Sequence, residues 1–129
     1  MKNKKGFTLI ELLVVIAIIG VLSLMGLRVY LTQQDKAKEA IVIANAGTVQ
    51  TLIQAELADK DVTLLEAVSI ATKAGLHNPF NGVAMNLAGW FPESADTPGE
   101  IQITLSSNIF YVQGCGENGL LPDILTARK

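Results

Sequence analysis

The chain opens on a hydrophobic pattern that has no period. Residues Phe7 to Leu27 read FTLIELLVVIAIIGVLSLMGL, apolar on every face of a helix rather than along one stripe. At about 1.5 Å per residue this segment forms a helix of roughly 31 Å, long enough to cross the hydrocarbon core of a bilayer. From residue 28 the pattern becomes a stripe. Val42, Ala46, Val49, Ile53 and Leu57 recur at spacings of three and four, with Leu52 beside them, and residues 28–58 contain no proline. These features predict a single helix from about Phe7 to Ala58, roughly 78 Å long, with an amphipathic second half.

The pattern then shortens. Asp59-Lys60-Asp61 reads as a turn, and Thr63-Leu64-Leu65-Glu66 as a capping box. The helix it opens is predicted to run to about Lys73 or Ala74, with Gly75 as a left-handed stop and Leu64, Leu65, Val68 and Ala71 as its apolar face. Residues 76–99 carry Asn78-Pro79, Asn81-Gly82 and Pro98-Gly99 and read as loop, with a short strand within Val83 to Leu87. Trp90 and Phe91 are expected to anchor that loop to the core. Glu100 to Leu105 alternates polar and apolar residues, a half-buried strand. A Ser106-Ser107-Asn108 turn leads to a second strand, Ile109 to Gln113. Asn118-Gly119 then marks a tight turn into a third, about Leu120 to Leu125. The order predicts an α+β fold: a long N-terminal helix packed by its second half on a small antiparallel sheet head, a lollipop.

Charge changes the reading of the first segment. Glu11 is the only ionisable side chain in residues 7–27. A carboxylate at bilayer depth costs at least about 2.5 kcal/mol, so a partner is expected. A basic leader, Met1-Lys2-Asn3-Lys4-Lys5-Gly6, precedes the apolar run. A cut after Gly6 would create an ammonium on Phe7, four residues before Glu11. The leader lysines orient the segment with its start in the cytoplasm and the remaining chain outward. An ordinary secretory signal fits poorly, because the run is too long and ends at Leu27-Arg28-Val29-Tyr30 without a small-x-small site.

Taken together, KKGFTLIELLVVIAIIG closely resembles the amino-terminal signature of type IV prepilins and the related pseudopilins, over residues 4–30. The resemblance implies that a prepilin peptidase cleaves between Gly6 and Phe7 and methylates the new amine, giving N-methyl-Phe7. It implies that Glu11 and Phe7 guide assembly into a helical homopolymer. It divides the chain into a leader (1–6), a transmembrane or filament-core helix (7–28) and an outward-facing head that includes the amphipathic half of the long helix (29–129). It further implies a precursor in the bacterial cytoplasmic membrane that later joins a cell-surface filament. The partners would be membrane lipid before assembly, an assembly platform and other copies of the chain. Two features depart from the family pattern. Arg28 stands where many pilins have proline, and the lone Cys115 cannot form the intrachain cysteine pair that closes the carboxy-terminal loop of many pilins. Ordering of that loop must come from packing or hydrogen bonds.

Composition narrows the alternatives. Removing Lys2, Lys4 and Lys5 from the ten basic residues leaves seven against twelve acidic ones, a balance of −5, which argues against nucleic-acid binding by the processed chain. His77 is the single histidine, and no motif joins it, Cys115 or a carboxylate into a nucleophile–base arrangement, so no enzyme is read here. Glu93, Asp96 and Glu100 lack an EF-hand pattern and read as a solvated acidic loop. No cofactor or metal is implied. The leading reading is a structural subunit of a type IV pilus or pilin-like filament. The alternatives are a pseudopilin of a type II secretion or DNA-uptake system and, from another class, a signal-anchored extracytoplasmic binding module.

Overall fold

A computed structural model describes residues 5–129; the leader residues Lys2 and Lys4 lie outside the described residues. The chain divides into two compact units, Met1–Gln34 and Asp35–Lys129. Helix α1 runs from Leu9 to Asp59, two residues later at its start than the apolar pattern suggests. It continues through Gly20, Gly26 and Gly47 without a break.

In the first unit every described residue is exposed. Apolar side chains from Leu9 to Leu31 project on all sides of the helix. In the second unit α1 behaves differently. Val42, Ala46, Val49, Ile53 and Leu57 are buried, the whole predicted stripe, while Leu52 beside it stays largely open. Helix α2 (Leu64–Thr72) follows the expected capping box: the Thr63 hydroxyl accepts the Glu66 N–H at 3.3 Å, and the Glu66 carboxylate accepts the Thr63 N–H at 2.8 Å. Gly75 adopts φ +70 just beyond its end. Its apolar face is Ala67 and Ala71, with Leu64 and Val68 partly buried. Leu65 was expected on that face but is 84% exposed. A helix advances about 100° per residue, so Leu65 falls off the sector that Leu64, Val68 and Ala71 share.

Residues 76–99 are held by Asn78, which is fully buried. Its side-chain Nδ2 donates to the Pro98 carbonyl at 2.9 Å, and its Oδ1 accepts the Phe80 N–H at 2.8 Å. The short strand expected within Val83 to Leu87 is not present; only an isolated bridge joins His77 to Ala84. That bridge consists of two bonds: the Asn78 N–H donates to the Val83 carbonyl at 2.9 Å, and the Met85 N–H donates to the Leu76 carbonyl at 2.8 Å. Phe91 is buried and Trp90, in a short 3-10 turn (Ala88–Trp90), packs against the core.

Strands β1 (Ile101–Ser106), β2 (Ile109–Gly116) and β3 (Gly119–Ala127) form an antiparallel sheet in the order β1-β2-β3. The hairpin between β1 and β2 turns through Ser107 and Asn108, both with positive φ, the backbone of a type I′ turn. Ile101, Ile103, Phe110, Val112 and Ala127 line the inner face and meet Ala46, Val49, Ile53 and Leu57 of α1 in one core. β2 extends three residues past the predicted Gln113, because Cys115 and Gly116 pair with Leu120 and Gly119 of β3; Gly114, Cys115 and Gly116 are all buried. A Cβ at Gly114 would collide with the Val42 side chain, so glycine there permits the close approach of strand and helix. Cys115 is buried in this stretch, as a small apolar residue would be, and desolvation raises its thiol pKa.

Candidate functional site

The site residues expected at the start of the chain lie where helix begins. Residues 5–8 are non-helical and exposed, so the Gly6–Phe7 bond sits in open backbone; Phe7 is 86% exposed. A peptidase needs its substrate backbone out of helical hydrogen bonds, and this bond meets that requirement.

The structure adds a residue that the pattern analysis did not single out. Thr8 precedes α1, and its hydroxyl accepts the Glu11 N–H at 3.3 Å. The Glu11 carboxylate in turn accepts the Thr8 N–H at 3.1 Å, and the Thr8 carbonyl accepts the Leu12 N–H at 3.2 Å. This is a reciprocal capping box. It explains why α1 starts at Leu9 rather than Phe7. It also gives Glu11 a task within its own chain: the carboxylate satisfies a backbone donor at the positive end of the helix dipole. Thr8-Leu9-Ile10-Glu11 carries the same T-x-x-E spacing as Thr63 to Glu66, so the signal was present in the residues. It was masked because the apolar run drew the helix start toward Phe7. Among the described residues no hydrogen bond joins Phe7 to Glu11 within the chain.

Beyond Glu11 the helix contains one hydrogen-bonding side chain before Arg28, that of Ser23. Its hydroxyl donates to the Ile19 carbonyl at 2.7 Å. Such back-bonding is how a polar side chain is satisfied without water or a partner. A helix apolar all round, long enough to span a membrane and with its polar groups satisfied internally, suits lipid or a bundle of like helices.

Elsewhere the candidate groups hold local structure. The Glu100 carboxylate accepts the Asp96 and Thr97 amides at 3.3 and 3.2 Å, so it anchors the acidic loop. His77 is exposed, and its carbonyl accepts Nδ2 of Asn45 at 3.1 Å.

A long amino-terminal helix that continues from an apolar segment into an α+β head defines the pilin-like class of proteins. A family model for the prokaryotic N-terminal methylation motif matches residues 1–27. The chain is 43% identical over 58 residues to fimbrial protein EcpB of Eikenella corrodens, covering 45% of this chain and 36% of that protein. It is 34% identical over 76 residues to the type IV major alpha-pilin of Moraxella bovis, covering 59% and 48%. It is 40% identical over 57 residues to fimbrial protein Q of Moraxella bovis, covering 44% and 36%. The chain carries the amino-terminal signature of the type IV pilin family. It spans between a third and a half of the length of these curated relatives. No solved structure matches it with significance.

Proposed function

We propose that this protein is a structural subunit of a type IV pilus or pilin-like filament. One observation carries the reading: a fully exposed, membrane-length apolar helix begins at a Thr8–Glu11 capping box, directly after an open Gly6–Phe7 bond, in a segment that matches the N-terminal methylation motif. Similarity to fimbrial proteins and a major pilin favours a pilus over a secretion pseudopilus.

The mechanism is assembly rather than bond chemistry. The precursor waits in the cytoplasmic membrane, anchored by residues 7–28, with residues 29–129 outside. A prepilin peptidase removes residues 1–6 and methylates the Phe7 amine. An assembly platform then moves the helix from lipid into a bundle of identical helices, which is similarly apolar. There the Glu11 carboxylate meets the Phe7 amine of a neighbour. Its Oε2 takes the Thr8 N–H of its own chain, and a carboxylate has acceptor capacity for a second donor. A buried charge pair chiefly sets register, because either charge left alone is expensive.

The test is electron microscopy of shed surface fibres with peptide identification and intact-mass measurement. The expected product begins at N-methyl-Phe7, and Gly6→Leu blocks its formation by placing a side chain in a tight protease subsite. A surface product that retains Met1 to Gly6 rules the reading out.

A further inference from the structure

We propose that Gln50 and Gln54 of α1 close the free edge of β3 against strand addition by a second copy of the chain. β3 has one sheet neighbour, β2, and its other edge is open. An open edge offers unpaired N–H and C=O groups to any second strand. Thr126, paired opposite Tyr111, and Arg128 two residues later have the same parity, so their backbone groups turn the same way. Gln50 Nε2 donates to the Thr126 carbonyl at 2.9 Å. Gln54 Nε2 donates to the Arg128 carbonyl at 2.7 Å, and the Arg128 N–H donates to Gln54 Oε1 at 3.1 Å.

The geometry explains the residue type and the spacing. Four residues of helix rise about 6 Å, close to the roughly 6.8 Å between alternate residues of a strand. Side chains at i and i+4 of α1 therefore fall into step with Thr126 in β3 and Arg128 just past its end. A primary amide carries one acceptor and two donors, so Gln54 imitates the peptide group of a neighbouring strand. The helix thus supplies two rungs of a missing strand.

The rest of the edge is limited by other means. Pro122 has no N–H, and the β2–β3 register shifts between Gln113 and Cys115. Ile124 shares the parity of Thr126, its side chain is 55% exposed, and among the described residues no hydrogen bond outside the sheet ladder reaches its backbone. Its backbone and the Thr126 N–H remain as points of entry. The opposite edge, β1, is covered by its own loop: the Ile103 N–H donates to the Pro92 carbonyl at 3.0 Å, and the Gln102 side chain donates to the Glu93 carbonyl. The same glutamine contacts fasten the carboxy-terminal strand to α1, a task that buried Cys115 has no second described cysteine to perform covalently.

The test compares the full chain with the Gln50→Ala/Gln54→Ala variant in detergent micelles, by light scattering after size exclusion and by infrared spectroscopy. The double variant is expected to form larger species in proportion to its concentration, with an intermolecular β band that the wild-type chain lacks. Adding Ile124→Pro, which removes one of the two open edge N–H groups, is expected to weaken both signals. A double variant that behaves as the wild type overturns the proposal. So does association that persists unchanged after Ile124→Pro, because that reports misfolding rather than edge pairing.

Discussion

Residues 9–34 and residues 35–59 belong to one continuous helix, yet the two stretches are stabilised by different physics. In the first, side chains are apolar on every face as far as Leu27, and all are exposed. Nothing in that unit buries them, so their hydrophobic free energy is realised only in lipid or among like helices. In the second, five residues on one stripe are buried in the head, and the opposite face is exposed and lined by small residues, Ala37, Ala44, Thr48, Thr51 and Ala55 among them. Backbone hydrogen bonding is the same in both. The lesson is that the helix itself does not decide where it belongs; the width of its apolar sector does.

Substitutions can break or sharpen this contrast. The largest effect is expected at Glu11. Glu11→Leu should insert and be cleaved normally yet yield few filaments, since a neighbour's Phe7 amine would be left unpaired at about 3–5 kcal/mol per subunit. Electron microscopy of cells producing only the variant checks this, and abundant ordinary fibres would refute the pairing role. Next come paired truncations within α1. Ile53→Ala, in the fully buried stripe, should destabilise the head by about 2–5 kcal/mol. Leu13→Ala, 51% exposed, should leave head unfolding unchanged. Denaturant titration of each in detergent, followed by the fluorescence of Trp90, distinguishes them.

Asn78→Ala should cost the head about 1–3 kcal/mol, because the Pro98 carbonyl and Phe80 N–H lose their partner; the same titration measures it. The two capping boxes give a finer comparison. Thr63→Val should lower head stability by about 1 kcal/mol. Thr8→Val should not move head stability at all, and should instead speed amide exchange in the first turn of α1.

The smallest effect is a pH dependence at Glu66. The Thr63 N–H, then the Thr63 hydroxyl and Lys60, hold its carboxyl below the ordinary value of 4.5. A carboxyl with a depressed folded pKa stabilises fully above its unfolded pKa and loses that contribution as pH falls through the folded one. The difference in melting temperature between the wild-type chain and Glu66→Gln should therefore be constant near neutrality, shrink below about pH 4.5 and disappear in stronger acid. A difference that grows on acidification would show that the sign is wrong.

Much of this protein was legible in residue order because its signals are local. The aperiodic apolar run, the buried stripe from Val42 to Leu57, the Thr63 box, the Gly75 stop and the alternation in β1 each depend on neighbours within a turn or two of chain. The basic leader, Gly6-Phe7 and Glu11 form a signal of the same local kind, the segment that matches the N-terminal methylation motif. Even the missed Thr8 cap is a local signal, hidden by the stronger apolar pattern around it. What only the tertiary structure decided depends on residues distant in sequence. Residues 83–87 find only the two backbone bonds of a single bridge, to Asn78 and Leu76, and no extended strand to pair with. β2 extends to Gly116 because Cys115 and Gly116 pair with Leu120 and Gly119, and Val42, more than seventy residues earlier, leaves room for glycine alone at position 114. Gln50 and Gln54 look like solvent-facing helix residues until Thr126 and Arg128 arrive beside them. A side chain's intrinsic preferences are written at its own position, but its hydrogen-bond partner and its burial are set by whichever segment the fold brings within about 3 Å.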